Sequence, residues 1–313
     1  MLYFPSCMPT RDFLSVADLS PAQLKRVLSR ASDLRKGKPA PQVLKGKSVA
    51  LLFQKPSLRT KLSFDLAVHQ LGGHPVYTSP DEVGLGKREP VEDVARVLSR
   101  YVDCIVARVF GHDIIEKLAA YAGVPVVNAL SDAEHPCQAL ADLQTVQENC
   151  GSLKGKTIAF IGDGNNCATS LVLGAALVGA NYRIASPEGY ELREHVIDKA
   201  QAIARQSGSK IVEARTPEEA VLGADVVYTD VWISMGQEGE AEKRRKAFIG
   251  SQVNKQLMVK AKKGAIFLHP LPAHHGEEIG IGMLEHPASR VFDQAENRLH
   301  VQKALLIELF GKA

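Results

Sequence analysis

Lys47-Ser-Val-Ala-Leu-Leu-Phe-Gln-Lys-Pro-Ser-Leu-Arg-Thr60 runs from an apolar stretch into a polar cluster that heads a helical one. Lys47 to Phe53 reads as a buried strand, and 58–71 follows helical spacing. The same alternation extends on both sides. Upstream, Ser20-Pro21 starts a helix with a capping hydroxyl and a proline in its first turn. Leu24, Val27, Leu28, Ala31 and Leu34 then mark its apolar face, and Gly37 its stop. Downstream, strand-like runs at 74–77, 104–109 and 124–127 alternate with helical runs near 90–101, 112–122 and 136–149. Parallel strands with crossover helices are the architecture this pattern predicts.

A polar patch, Glu148-Asn-Cys-Gly-Ser152, interrupts the series. A second series starts at Lys156-Thr-Ile-Ala-Phe-Ile161 and continues with strand-like runs at 182–185, 210–214, 224–229 and 265–268. From about Ala295, the residues Val301, Ala304, Leu305 and Leu309 keep helical spacing. The expected fold is therefore α/β with two domains, each a mainly parallel sheet flanked by helices. Their expected extents are 1–149 and 150–294, with a terminal helix 295–313 packing back on the first. A length of 313 residues suits two cores.

Composition narrows the partners. The net charge is +3 and 45% of residues are hydrophobic, so no broad basic field points to nucleic acid or membrane. None of Cys7, Cys104, Cys137, Cys150 and Cys167 forms a CxxC pair. That argues against a disulfide framework or zinc site and for a reducing cytoplasm. Met1 to Ser20 lacks the continuous apolar core of a signal peptide, and no run approaches the ~20 apolar residues of a membrane helix.

In open parallel sheets ligands bind beyond the carboxyl ends of strands. The polar clusters fall there: Gln54 to Thr60, Arg108, Asn128 to Gln138, Gly162 to Asn166, Asp230 to Gln237 and His269 to His275. Both halves contribute, so an interdomain cleft is the expected active site. Ser57 is placed to cap a helix whose free N–H groups and positive end suit a phosphate, with Arg59 and Thr60 adding a guanidinium and a hydroxyl. The alternative there is a plain capped helix with a surface arginine. His135 and Gln138, three apart at a helix start, can face one small ligand, or be incidental polar residues. Arg108 ends an apolar strand and needs either an internal carboxylate or an anionic ligand.

Gly162-Asp-Gly-Asn-Asn-Cys167 follows a strand and opens a helix, inviting a dinucleotide reading with Glu188 as the ribose-binding acid. Cys167 stands where that fingerprint wants a third small residue, so hydride transfer with a nicotinamide cofactor is the weaker alternative. Asp230 ends a strand and can hold an ammonium group, with backbone N–H groups of the following glycine-bearing loop available for a carboxylate. His274-His275 shows no acidic or histidine partner at metal-ligand spacing.

Together these clusters resemble the aspartate and ornithine carbamoyltransferase family, the ornithine branch in particular. The resemblance rests on an ordered set along nearly the whole chain. It comprises Ser57-Leu-Arg-Thr60, Ala107-Arg108, His135-Pro-Cys-Gln138, Ala141-Asp-Leu-Gln-Thr145, Gly162-Asp-Gly-Asn-Asn166, Asp230-Val-Trp-Ile-Ser-Met-Gly-Gln-Glu238 and Ala295-Glu-Asn-Arg298. It implies that Ser57, Leu58, Arg59, Thr60, Arg108, His135, Gln138 and Arg298 bind carbamoyl phosphate. Asn166, Asp230, Ser234 and Met235 would hold the acceptor, with Pro270 and Leu271 near its amine. Arg108, His135 and Asp230 are the implied catalytic set. Carbamoyl phosphate and an amine are the implied substrates, with no metal or organic cofactor, and a homotrimer is the implied assembly, in which a neighbour's 85–89 loop would complete each site. Two departures stand out: Lys61 replaces an arginine, and His269-Pro-Leu-Pro272 replaces His-Cys-Leu-Pro, the form familiar from the aspartate branch. Ornithine is the leading acceptor, with N-acetylornithine, putrescine, lysine or aspartate as alternatives. A binding or scaffold protein that kept the fold without activity is a further one.

Overall fold

The structure, a computed structural model, describes residues 12–86 and 88–311, without the side chains of Pro80 and Asp81. Cys7 and Lys87 lie outside the described residues. The chain divides into two compact units, 1–137 with 298–313, and 138–297.

The first unit opens with a short turn of helix at Val16–Asp18 and α1 (Pro21–Arg35). Ser20 caps α1 through a reciprocal bond with Gln23, and Leu24, Val27, Leu28, Ala31 and Leu34 form its buried face. There follow β1 (Ser48–Phe53), α2 (Leu58–Gln70), β2 (His74–Thr78), α3 (Pro80–Val83), α4 (Val91–Leu98), β3 (Cys104–Arg108), α5 (His112–Tyr121) and β4 (Val126–Leu130). Among the described residues they form a parallel sheet of order β2-β1-β3-β4. Both β3 and β4 are buried throughout, as expected for strands covered on two faces. Ala50, Leu52, Ile105, Ala107 and Val126 pack with Val94, Ile115 and Leu118 of the helices.

β4 lies two residues later than the 124–127 run predicts. Pro125 has no N–H for the ladder, and its carbonyl accepts from Ile105 N (2.9 Å). Pairing then continues through the buried polar Asn128, whose Nδ2 donates to Leu14 O (2.9 Å) and Ser131 Oγ (3.3 Å). A satisfied amide can sit in a buried strand.

α6 (Pro136–Cys150) carries the chain from the first unit into the second. The sequence places a boundary at the polar patch 148–152, whereas contacts divide the chain twelve residues earlier, inside this helix. The reason lies in its side chains. Asp142 accepts from Tyr228 Oη (3.1 Å) and Gln294 Nε2 (2.6 Å), tying the helix to the second unit from its first turns onward.

The second unit continues with β5 (Thr157–Ile161), α7 (Asn166–Val178), β6 (Asn181–Ala185), α8 (Glu194–Ser207), β7 (Ile211–Glu213), α9 (Pro217–Val221), β8 (Val226–Thr229), α10 (Ala241–Ala247), α11 (Lys255–Met258) and β9 (Ile266–Leu268). Its described strands form a parallel sheet of order β7-β6-β5-β8-β9. Order reverses on either side of β5, so loops after β5 and β8 flank a topological switch point. α12 (Val291–Phe310) begins four residues before the expected Ala295, because Val291 is itself a core residue of this unit. No helix among the described residues is long and apolar enough to cross a membrane.

Candidate active site

In the first unit, β1 delivers Gln54 to Ser57 to the sheet's carboxyl edge. Ser57 caps α2 by accepting from Thr60 N (3.3 Å), and its hydroxyl donates to Thr60 Oγ1 (3.0 Å). Arg298, from α12, donates through Nη2 to the same Thr60 oxygen (2.7 Å). Leu58 is 72% exposed, and its backbone N–H is among the unpaired donors of the first turn of α2. Lys61 turns away from this group, with Nζ 3.8 Å from the Tyr77 ring centroid, while Tyr77 meets Phe53 edge-on. The lysine is thus an anchor of α2 on the sheet, and its substitution for arginine leaves the cationic group unchanged.

His135 arrives on a tight turn after β4, where Ser131 N donates to Glu134 O (2.9 Å) and Glu134 N to Ser131 Oγ (3.2 Å). The imidazole is buried and held well below the usual histidine range, first by burial, then by Arg298, Arg108, Arg59 and Lys55. It is therefore neutral at physiological pH. Burial also lowers the Lys55 and Arg59 pKa values, and Arg108 adds to the effect on Lys55. Three guanidinium groups and an ammonium group surround one neutral ring beside a helix N-terminus. That is an arrangement for a small dianion. Sequence reading missed Lys55, although it sits two residues before Ser57. The adjacent Cys137 is no nucleophile, since burial pushes its thiol up to about 12.

In the second unit, Gln138 donates to Asp142 Oδ1 (2.8 Å), the carboxylate that also holds Tyr228 and Gln294. Gln294 Oε1 accepts from His269 N (2.9 Å). The Ala-Asp-Leu-Gln-Thr motif therefore fixes the strand-end loop after β9 through Asp142 and Gln294. Neither residue carries a signal for this in the sequence, because their partners lie 86 and 152 positions away.

Within that loop His269 Nδ1 accepts from Leu271 N (2.9 Å), so the ring's proton is on Nε2, which points at Glu278 Oε1 (3.2 Å). Leu271 has φ +58°, a left-handed conformation costly for a branched side chain and held by these bonds. Its carbonyl and that of Pro270 are thereby given fixed directions. Glu278 is fully buried and was not singled out in the sequence.

Asp230 follows β8 and is also anchored, with Oδ2 accepting from Asn165 Nδ2 (2.8 Å) and Oδ1 from Val231 N (2.8 Å). Asn165 in turn caps α7, leaving Asn166 as its first residue. The 230–238 loop does not offer all its N–H groups to a carboxylate as expected. Ser234 N donates to Gln237 Oε1 (3.0 Å) and Gly236 N to the Glu238 carboxylate. Two side chains within three residues fold back and take these donors. Met235 remains half-exposed beside Ser234. Arg244 braces the loop from beneath, paired with Asp163 (2.8 Å), donating to Trp232 O (2.9 Å) and lying over the Tyr190 ring.

Matches to known proteins follow this geometry. Residues 11–148 match the aspartate/ornithine carbamoyltransferase carbamoyl-P binding domain and 154–309 the corresponding Asp/Orn binding domain. The chain belongs to the aspartate/ornithine carbamoyltransferase family. It is 52% identical over 304 residues to an ornithine carbamoyltransferase of Acidothermus cellulolyticus, covering 97% of each chain. It is 48% identical over 305 residues to the anabolic ornithine carbamoyltransferase of Pyrococcus furiosus, covering 96% of each. The solved structure of ornithine carbamoyltransferase from Pyrococcus furiosus superposes with a TM-score of 0.93 at 47% identity, over 99% of this chain and 100% of that one.

As a carbamoyltransferase, the chain does not use its Gly162-Asp-Gly sequence for a dinucleotide, and the packing explains why. A Cβ on Gly164 would lie 2.4 Å from the backbone at Glu191 and Leu192, and Gly164 N donates to Tyr190 O (2.7 Å). The glycine that would admit a pyrophosphate instead admits the protein's own chain.

Proposed function

We propose that the protein transfers the carbamoyl group of carbamoyl phosphate to L-ornithine, giving L-citrulline and phosphate, in the biosynthetic direction named for its Pyrococcus relative. The observation that carries this reading is the neutral, buried His135 enclosed by Arg298, Arg108, Arg59 and Lys55 beside the capped end of α2. Ser57, Thr60, Arg59, Arg298 and the Leu58 N–H would bind the phosphate. Arg108 and His135 would polarise the carbamoyl oxygen, with Gln138 orienting the amide. Charge developing on that oxygen in a tetrahedral intermediate would meet preorganised donors, and phosphate would depart already neutralised. A neutral imidazole still has one N–H to donate to that oxygen and adds no further positive charge to the cationic group.

In the second unit the anchored Asp230 carboxylate suits the acceptor's α-ammonium group, with Asn166, Ser234 and Met235 beside it. The fixed carbonyls of Pro270 and Leu271 would orient the side-chain amine, which attacks as the neutral form. A free alkylamine has a pKa near ~10, so the reaction needs the site to favour its neutral form. Each unit thus carries one half of the chemistry. The described cysteines are free thiols, which fits a cytoplasmic enzyme.

The test is an assay of purified protein with carbamoyl phosphate and a panel of amines, without added metal. Citrulline and phosphate should appear with ornithine and far less product with aspartate, N-acetylornithine, putrescine or lysine. Preference for another amine would replace the acceptor, and failure to release phosphate with any amine would overturn the activity.

A further inference from the structure

Beyond the acceptor loop of the second unit, the chain doubles back from Ala273 to Ile279, with His275 bridging to Ile279. This return brings Glu277 and Glu278, three and four residues further on, against His274, which the sequence reading left without an acidic partner at metal-ligand spacing. Its Nδ1 stands 3.7 Å from Glu278 Oε2, and Glu277 brings a second carboxylate. One donor atom from each of His274, Glu277 and Glu278 lies within 4.8 Å of the others.

Glu278 is divided in its use. Its Oε1 takes the His269 ring and the His274 backbone N–H (2.5 Å). Its Oε2 is fully buried and has no hydrogen-bond partner. A buried carboxylate oxygen without a donor is costly, and such an atom calls for an explanation. This one faces the imidazole nitrogen, at a distance too long for a hydrogen bond.

We propose that His274 Nδ1, Glu278 Oε2 and one oxygen of Glu277 form a binding site for a divalent transition-metal ion. Zinc bonds of about 2.0–2.1 Å to nitrogen and oxygen put tetrahedral donors about 3.3 Å apart. The His274–Glu278 separation of 3.7 Å therefore needs only a few tenths of an ångström of closure. Glu277 has farther to swing, but its side chain is partly exposed and its hold on Arg245 Nε (3.0 Å) engages Oε1 only. Water would complete the coordination. An imidazole with two carboxylates favours zinc, manganese or iron over magnesium and calcium, which prefer all-oxygen sets. The half-exposed His274 gives the ion a way in, while the buried Glu278 supplies the anchor. The ion would share Glu278 with His269, and so sit one carboxylate from the ring that holds Leu271.

Zinc titrated calorimetrically into the full-length protein and into His274→Ala tests this. The wild type should show one saturable equivalent per chain, and the variant at least a tenfold weaker one, with circular dichroism and zinc-free carbamoyl transfer unchanged. Glu277→Gln should also weaken the site. Cobalt bound in place of zinc should give an absorption spectrum without thiolate-to-metal charge transfer. Equal binding in wild type and His274→Ala, no saturable binding in the wild type, or a thiolate signature would each overturn the proposal.

Discussion

The Glu278 carboxylate and the His269 ring meet at 3.2 Å in a fully buried site, and this contact sets the direction of the Leu271 backbone. Glu278 accepts at Nε2, so Nδ1 is left to accept from Leu271 N. Removing Glu278 orphans two donors, the buried ring N–H and the part-buried His274 N–H. Glu278→Ala should lose about 1–3 kcal/mol of stability per orphaned donor. The KM for ornithine should rise by more than kcat falls, and Glu278→Gln, which keeps an acceptor oxygen, should recover most of both. Steady-state kinetics and thermal melts decide it, and a wild-type KM in Glu278→Ala would rule out a positioning role.

On the proposed binding mode, Arg59→Ala and Arg108→Ala would each remove a charge-assisted contact to carbamoyl phosphate worth about a few kcal/mol. At about 1.4 kcal/mol per tenfold, kcat/KM should fall roughly a hundredfold or more. Activity within a few-fold of wild type in both variants would dissolve the assignment of the cationic cluster.

Pro270 keeps a carbonyl but offers neither thiol nor N–H at the place where the His-Cys-Leu-Pro pattern of the ornithine branch, implied by the resemblance, has cysteine. If a thiol there assists loss of the amine's proton, this enzyme needs a higher pH to reach the same fraction of neutral nucleophile. Its optimum should then lie high, and Pro270→Cys should move it down. A pH–rate profile of both forms is the measurement, and superimposable curves would make the thiol irrelevant.

Asp12 carries a carboxyl pKa raised from 3.8 to about 6, mainly by burial, while its Oδ1 accepts from Val126 N (2.8 Å). Because the folded pKa exceeds the unfolded one, the folded state binds more protons between those values. The stability this group contributes at low pH is lost as pH rises from about 4 to about 6. Asp12→Asn keeps an acceptor and stays neutral. Its Tm should exceed that of wild type at pH 7–8 by about 1–3 °C, a modest gain because solvent screens a partly exposed group. The gain should shrink towards pH 4, and a pH-independent difference would speak against the titration.

We expect a homotrimer, as the family resemblance implies. Light scattering should report three chains per particle at micromolar concentration. A fully active monomer would remove any need for a neighbour's 85–89 loop.

The alternation of apolar runs and helical stretches was enough to read the two parallel sheets, because strands covered on both faces are near-continuous apolar runs. The cap at Ser57 and the cationic residues after it were equally legible, since capping is a local geometry of three residues. Other features were not. The neutrality of His135 comes first from burial and then from cationic groups that include Arg298, from the far end of the chain. Asp142 bonds to Tyr228 and Gln294, and Glu278 is buried against His269, contacts that no spacing rule reveals. The loop after Asp230 looked open to a carboxylate until Gln237 and Glu238 took its N–H groups. Periodicity and caps act over a few residues and are written in order along the chain. Burial, charge summation and hydrogen-bond competition act through space, so only the folded arrangement decided which polar groups face a ligand and which are held by the protein itself.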